Sequence, residues 1–183
     1  MSSIVISGDT SGTITIAAPA VSGTTTLTLP VQTGTVMVNG PAFSAYRTGT
    51  QGGFASATYT KVSVQTEVFD TNSNYDNATN YRFTPTVAGY YQFNAAVVAT
   101  GTTLNYLQAV LVKNGSAPGF TGSYVTTASG EGGSSVSALI YLNGSTDYVE
   151  LYAYAQVTGT FTIYGGSQPQ SQTFFNGALV RSA

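Results

Sequence analysis

The chain has no cysteine and no histidine in 183 residues. Their absence removes disulfides, thiol nucleophiles, imidazole general bases and the usual zinc and copper ligands together. Charge is almost as scarce: Asp, Glu, Lys and Arg make up 7% of the chain, against about 25% in an ordinary soluble domain. So thin a cover of charge implies that Ser, Thr, Asn and Gln keep the surface wet, and that copies of the chain or other proteins cover part of it. The five basic residues, Arg47, Lys61, Arg82, Lys113 and Arg181, are isolated, and the net charge is −2. With no basic stripe to neutralise phosphates, nucleic acid is not an expected partner. Apolar runs of bilayer-spanning length are lacking, and Met1-Ser2-Ser3-Ile4 lacks the basic region and apolar core of a secretory leader. Neither membrane insertion nor export by that route is expected.

Helical periodicity is lacking too. In its place the chain is dense in Thr, Val, Tyr and Phe, punctuated by 21 glycines and by Asn-Gly pairs, which is an all-β composition. Residues 1–40 form a segment of their own, where Thr or Ser alternates with Ile, Val or Leu in runs too short to close a core. Its strands are expected at Thr13 to Ala17, Thr24 to Leu29 and Gly34 to Val38, and they need a partner. Asn39-Gly40-Pro41 breaks any strand, so the boundary is placed there, giving a β-rich arm of 1–40 and a domain of 41–183.

Within that domain Val62, Val64 and Val68 fall on one face of a strand, as do Tyr91, Phe93, Ala95 and Val97. Val149, Leu151, Ala153 and Ala155 oppose Tyr148, Glu150, Tyr152 and Tyr154. Hairpin turns are expected at Asn114-Gly115, Asn143-Gly144 and Gly165-Gly166. Gly119 to Ser135 reads as a loop with one short strand around Tyr124. About ten short strands in a domain of this length predict a jelly-roll sandwich of two sheets.

The residues of this domain resemble the globular head of complement C1q and its relatives, which share a trimeric jelly roll with tumour necrosis factor. PAFSAYR (Pro41 to Arg47) is similar to the first strand of those heads. Asp70, Tyr75, Phe83, Gly89, Tyr91 and Phe93 take the places of the family signature in order, with FTPTVAGYYQF as the densest match, and Phe175, Gly177 and Leu179 match the closing strand. Val64 stands where the family has an aromatic, one extra residue separates Tyr75 from Phe83, and Ala95 replaces a final aromatic. The resemblance spans residues 41–181 and implies a homotrimer. GDTSGTITIAAPAVSGTTTLTLP in the arm resembles a segment of structural and tail-fibre proteins of tailed bacteriophages.

DTNSNYD (Asp70 to Asp76) places an oxygen-bearing side chain at every second position, as a calcium loop does. A helix-flanked calcium loop would need Gly and Glu where Tyr75 and Tyr81 stand. The leading reading is a polar turn held by Asx hydrogen bonds. Calcium on Asp70, Asn72, Asn74 and Asp76 is the second, since oxygen ligands suit a hard cation and some members of the resembled family bind calcium. No other cofactor is expected.

Tyr148, Tyr152 and Tyr154 need a cover of their own, from within the chain, from a neighbouring subunit or from a ligand such as a sugar ring. Asn-x-Ser or Asn-x-Thr at Asn77, Asn114 and Asn143 reads as turn chemistry in the two Asn-Gly cases. Only Asp70 and Asp76 among the carboxylates lie close in sequence, in a loop with no apolar pocket to raise a pKa, so the chain is read as non-enzymatic.

Together these point to a bacteriophage virion component: a trimeric fibre- or spike-type protein whose arm contacts other virion proteins and whose head contacts a host-surface glycan or protein. A capsid or neck decoration protein without a receptor, and a secreted C1q-like binding module, are the alternatives.

Overall fold

The structure, a computed structural model, describes residues 3–7, 11–17, 23–24, 40–117, 119–122, 130–169 and 172–183. The chain divides into two compact units, Met1–Thr35 and Val36–Ala183. In the first, β1 (Ser3–Ser7) and β2 (Thr13–Ala17) form an antiparallel hairpin, with Ser3 opposite Ala17 and Ser7 opposite Thr13. The strand expected at Thr13 to Ala17 is β2. Those expected at Thr24 to Leu29 and Gly34 to Val38 lie outside the described residues.

The second unit is all β among its described residues. Its strands are β3 (Ala42–Tyr46), β4 (Gln51–Ala55), β5 (Thr60–Lys61), β6 (Thr66–Asp70), β7 (Tyr75–Asp76), β8 (Arg82–Phe83), β9 (Gly89–Lys113), β10 (Phe120–Thr121), β11 (Glu131–Leu142), β12 (Val149–Tyr164) and β13 (Phe174–Ser182). The long β9 organises them. Its first half lies between β13 and β11, and β13 continues through β3 to β6. Its second half lies between β10 and β12, and the far side of β12 is lined by three short strands, β4, β5 and β8. One strand therefore serves two sheets. The register of β12 breaks between Gln156 and Phe161, opposite the stretch where Thr103 adopts a left-handed φ of 54°. A bulge of this kind lets a continuous strand turn from one layer to the next.

Alternation decides which side chains meet between the layers. Tyr91, Phe93, Ala95 and Val97 of β9 point inward, as do Val149, Leu151, Ala153 and Ala155 of β12, and all are buried in one core. Six rings gather at one end: Phe43, Tyr75, Phe83, Tyr91, Phe93 and Phe175. Phe43 stacks on Phe83 at 4.6 Å and on Tyr75 at 4.7 Å, and meets Phe175 edge-on at 4.8 Å. Gly177 makes this packing possible, because a Cβ there would come within 2.5 Å of the Phe93 ring.

One expectation is corrected. Val62, Val64 and Val68 do not share a strand face: the first two are fully buried, whereas Val68 is exposed on β6. β5 pairs with β12 and β6 pairs with β3, so residues 62–65 carry the chain from one sheet to the other. Alternating burial during that crossing imitates a strand. The stretch 119–135 read as a loop contains β10 and the start of β11 at Glu131, and the short strand expected around Tyr124 lies outside the described residues. Of the expected hairpin turns, Asn114-Gly115 leads from β9 to β10, which pairs back on β9, and both residues are left-handed (φ 54° and 71°); Asn143-Gly144 and Gly165-Gly166 instead connect strands that do not pair with each other, β11 to β12 and β12 to β13.

Candidate functional site

The loop after β6 is closed by its own carboxylates. Asp70 accepts the amide N–H groups of Asn72 at 3.2 Å and Tyr75 at 2.6 Å. Asp76 accepts those of Ala78, Thr79 and Asn80, and the Asn80 side-chain amide at 2.7 Å. The Asn74 side chain takes the Thr86 N–H and donates to the Asn72 carbonyl, and Asn72 accepts the Thr71 hydroxyl. The carboxylates thus have amide partners without a cation, and among the described residues there is no group of three or more His, Cys, Asp or Glu that could hold a metal ion. The signature residues have structural work here. Asp70 fixes the turn, the Tyr75 hydroxyl donates to the Val64 carbonyl at 2.8 Å, and Phe83, Tyr91, Phe93 and Phe175 are fully buried.

The Thr79 N–H, joined by those of Ala78 and Asn80, holds the Asp76 carboxyl down to about 2, although partial burial pulls it upward. A lowered folded-state pKa adds stability above the unfolded value of about 4, and that stability is lost as pH falls towards 2. Asp76→Asn should therefore lower stability at pH 7 by about 1 kcal/mol, or 2–4 °C in Tm, after discounting for the group's exposure. The gap to wild type should narrow as pH falls below about 4 and close only below about pH 2, and melting in calcium and in chelator should give the same gap. A calcium-dependent rise in Tm confined to the wild type would assign the loop to a cation instead.

The tyrosines of β12 lie on the outward face of the second sheet. Tyr148 sits under the Arg82 guanidinium, 4.3 Å from its ring centre. Tyr154 packs between Tyr59 at 4.7 Å and Tyr106 at 5.8 Å. Tyr152 follows the buried Glu150, whose carboxylate pairs with Lys61 at 2.5 Å. Burial first, then the charge of Glu150 and a hydrogen bond to it, push the Tyr152 hydroxyl pKa up. Part of the cover therefore comes from elsewhere in the chain, leaving a half-buried aromatic surface threaded by two cations and one carboxylate.

The outward face of the first sheet is different in kind. Its central strand segments, Ala42–Tyr46, residues 89–100, residues 132–142 and residues 174–180, contain no Asp, Glu, Lys or Arg, and charge stands at its margins: Glu67 and Asp70 on β6, Glu131 at the start of β11, Arg181 opposite Tyr90, and Lys113 Nζ 5.8 Å from the Tyr141 ring centre. Tyr90, Leu139, Tyr141 and Val180 stand on it with 42–54% of their surface exposed, and Tyr90 packs on Tyr141 at 5.5 Å. At its centre runs one hydrogen-bonded chain. Gln92 Nε2 donates to Ser137 Oγ at 2.8 Å, Ser137 donates to Asn94 Oδ1 at 2.9 Å, and Asn94 Nδ2 donates to Asn176 Oδ1 at 3.3 Å.

No family model matches the chain, and no curated protein matches it. Solved structures do. Murine APRIL, crystallised at pH 5.0, aligns over 78% of this chain and 100% of its own with a TM-score of 0.55 at 12% identity. Eiger TNF from S. frugiperda aligns over 79% of this chain and 93% of its own, with a TM-score of 0.53 at 14% identity. The head is a jelly roll of the tumour necrosis factor type. At these identities the likeness is one of fold alone.

Beside the jelly roll, the arm carries a signal that alternation hides. Ser11-Gly12-Thr13, Ser22-Gly23-Thr24 and Thr33-Gly34-Thr35 recur every eleven residues, and so do Pro19, Pro30 and Pro41. Gly12 and Gly23 both adopt a left-handed φ, 80° and 58°. Ile4, Val5, Ile6 and Ile16 of the hairpin are each more than half exposed, and a lone two-stranded hairpin is marginal in water.

Proposed function

We propose that the protein is a bacteriophage virion component, a homotrimeric fibre- or spike-type protein in which the arm joins other virion proteins and the jelly-roll head projects and binds. The observation that carries this reading is the outward face of the first sheet, where charge is confined to the margins. Four central strand segments with exposed Tyr, Leu and Val and no charge favour protein contact over water. Three copies related by rotation bury that face in a closed assembly, as the resemblance to complement C1q heads implies. The exposed apolar side chains of the hairpin and the phage-like segment Gly8 to Pro30 support the docking role of the arm. The aromatic surface around Tyr148, Tyr152 and Tyr154 then faces outward, where a trimer presents each weak contact with a host glycan or protein three times. The activity is binding without turnover.

The test is location and mass. Native mass spectrometry of the full chain at micromolar concentration is expected to give a trimer, and antibody against the head is expected to label the exterior of phage particles in electron micrographs. A monodisperse monomer, or particles free of label, would overturn the proposal. Labelled particles whose isolated trimer ignores host cells would leave a decoration protein without a receptor.

A further inference from the structure

The hydrogen-bonded chain on the outward face of the first sheet has a direction. Gln92 spends both Nε2 hydrogens, one on Ser137 and one on the Phe93 carbonyl at 3.0 Å, and its Oε1 is left as an unused acceptor among the described residues. At the other end Asn176 accepts from Asn94 and, among the described residues, keeps both Nδ2 hydrogens unused. Acceptor and donors therefore emerge at opposite ends of one polar string laid across an apolar surface.

The relief of the same face has the same asymmetry. On the β3 and β13 side lies a shallow depression of about 250 Å³, floored by small residues such as Ala42, Ser44, Gly177 and Ala178 with Phe69 among its walls. On the β11 side Leu139 stands out with 54% of its surface exposed, and Tyr141 beside it with 42%. Leu139 and Ala178 both lie opposite Gln92, on its two flanking strands. A projection and a recess thus lie at one level of the sheet, two strands apart.

We infer that this face takes a second copy of the chain head to tail: Leu139 of one copy seats in the Ala42–Ala178 depression of the next, and the Asn176 amide of one meets the Gln92 carbonyl oxygen of the other. The inference rests on the self-association proposed above and adds its register. An apolar face alone tolerates sliding and alternative partners, whereas a polar group at one position penalises every arrangement that leaves it unpaired. A donor end that needs an acceptor end also rejects the two-fold pairing in which like ends meet, and favours rotation into a closed ring.

The absence of cysteine makes the test direct. Within one chain positions 139 and 178 are separated by two strand spacings, about 9–10 Å, too far for a disulfide. A chain carrying both Leu139→Cys and Ala178→Cys is expected to run as a covalent trimer on a denaturing gel after mild oxidation, while each single variant stays monomeric there. Asn176→Leu should raise the concentration for half-association at least tenfold and leave the melting temperature of the monomer unchanged. Dimers of Leu139→Cys alone, open ladders beyond three chains, or no cross-link from a wild-type-like trimer would overturn the register and leave the trimer standing. A wild-type chain that is monomeric would remove both.

Discussion

Phe43→Ala is expected to cost about 3–5 kcal/mol, the usual range for deleting a buried phenylalanine ring, and to lower Tm by about 10 °C or more in a domain of this size. The reason lies in what the ring joins. Phe43 is fully buried and touches Tyr75, Phe83, Phe93 and Phe175, at centroid distances of 4.6–6.3 Å. Those partners come from β7, β8, β9 and β13, so one truncation loosens five strands at once. Collapse into the space is hindered, because Gly177 already lies against Phe93 with no side chain to move. Phe54 is the control. It is as buried, but its one ring contact among the described residues is Phe161 at 5.0 Å, so Phe54→Ala should fall at the low end of the range. Urea denaturation of the two variants checks the order, and equal losses would mean that the six-ring cluster has no special place in the fold.

Ser137→Asp is expected to abolish self-association, with half-association moved at least a thousandfold, while the monomer melts within about 2 °C of wild type. Ser137 is exposed in the single chain and lies at the centre of the outward face of the first sheet. A carboxylate there is solvated in the monomer, so folding tolerates it. On assembly it would be buried opposite Asn94, away from Lys113 and Arg181 at the Tyr90–Tyr141 end of the face, and an unpaired buried charge costs several kcal/mol per site. Three copies repeat that cost. Ser137→Lys should behave alike, because the loss comes from burying charge and not from its sign. Sedimentation velocity reads both variants; a trimer that survives either one would place the contact on another surface.

Much of the jelly roll was legible in the chain because its strands alternate strictly where they matter. Tyr91 to Val97 and Val149 to Ala155 carry their inward and outward residues in plain order, and Asn114-Gly115 and Asn143-Gly144 mark turns that only a few conformations fit. Asn143 shows why: its side-chain oxygen accepts the N–H groups of Ser145, Thr146 and Asp147. Residues 62–65 misled because crossing between sheets also buries every second residue. The cover of Tyr148 and Tyr154 was illegible for another reason, since Arg82, Tyr59 and Tyr106 are remote in sequence and meet them only through sheet order. The outward face of the first sheet did leave a trace that alternation does not weigh: an absence of charge running through residues 89–100 and 132–142.

The central place of β13 bears on how the chain reaches this state as it is synthesised. β3, the first strand of the head, pairs on one side with β6 and on the other with β13, so Ala42 finds its partner Ala178 only after nearly the whole domain has been made. β9 likewise waits for β11, β12 and β13. Such distant pairings are slow to form. While the ribosome is still at work the Tyr, Leu and Val of the first sheet have no finished sheet to stand on, and a chain with so few charges has little to repel its neighbours on the same message. If the head associates as proposed, chains emerging side by side meet before each has closed, and assembly begins while they are still being made.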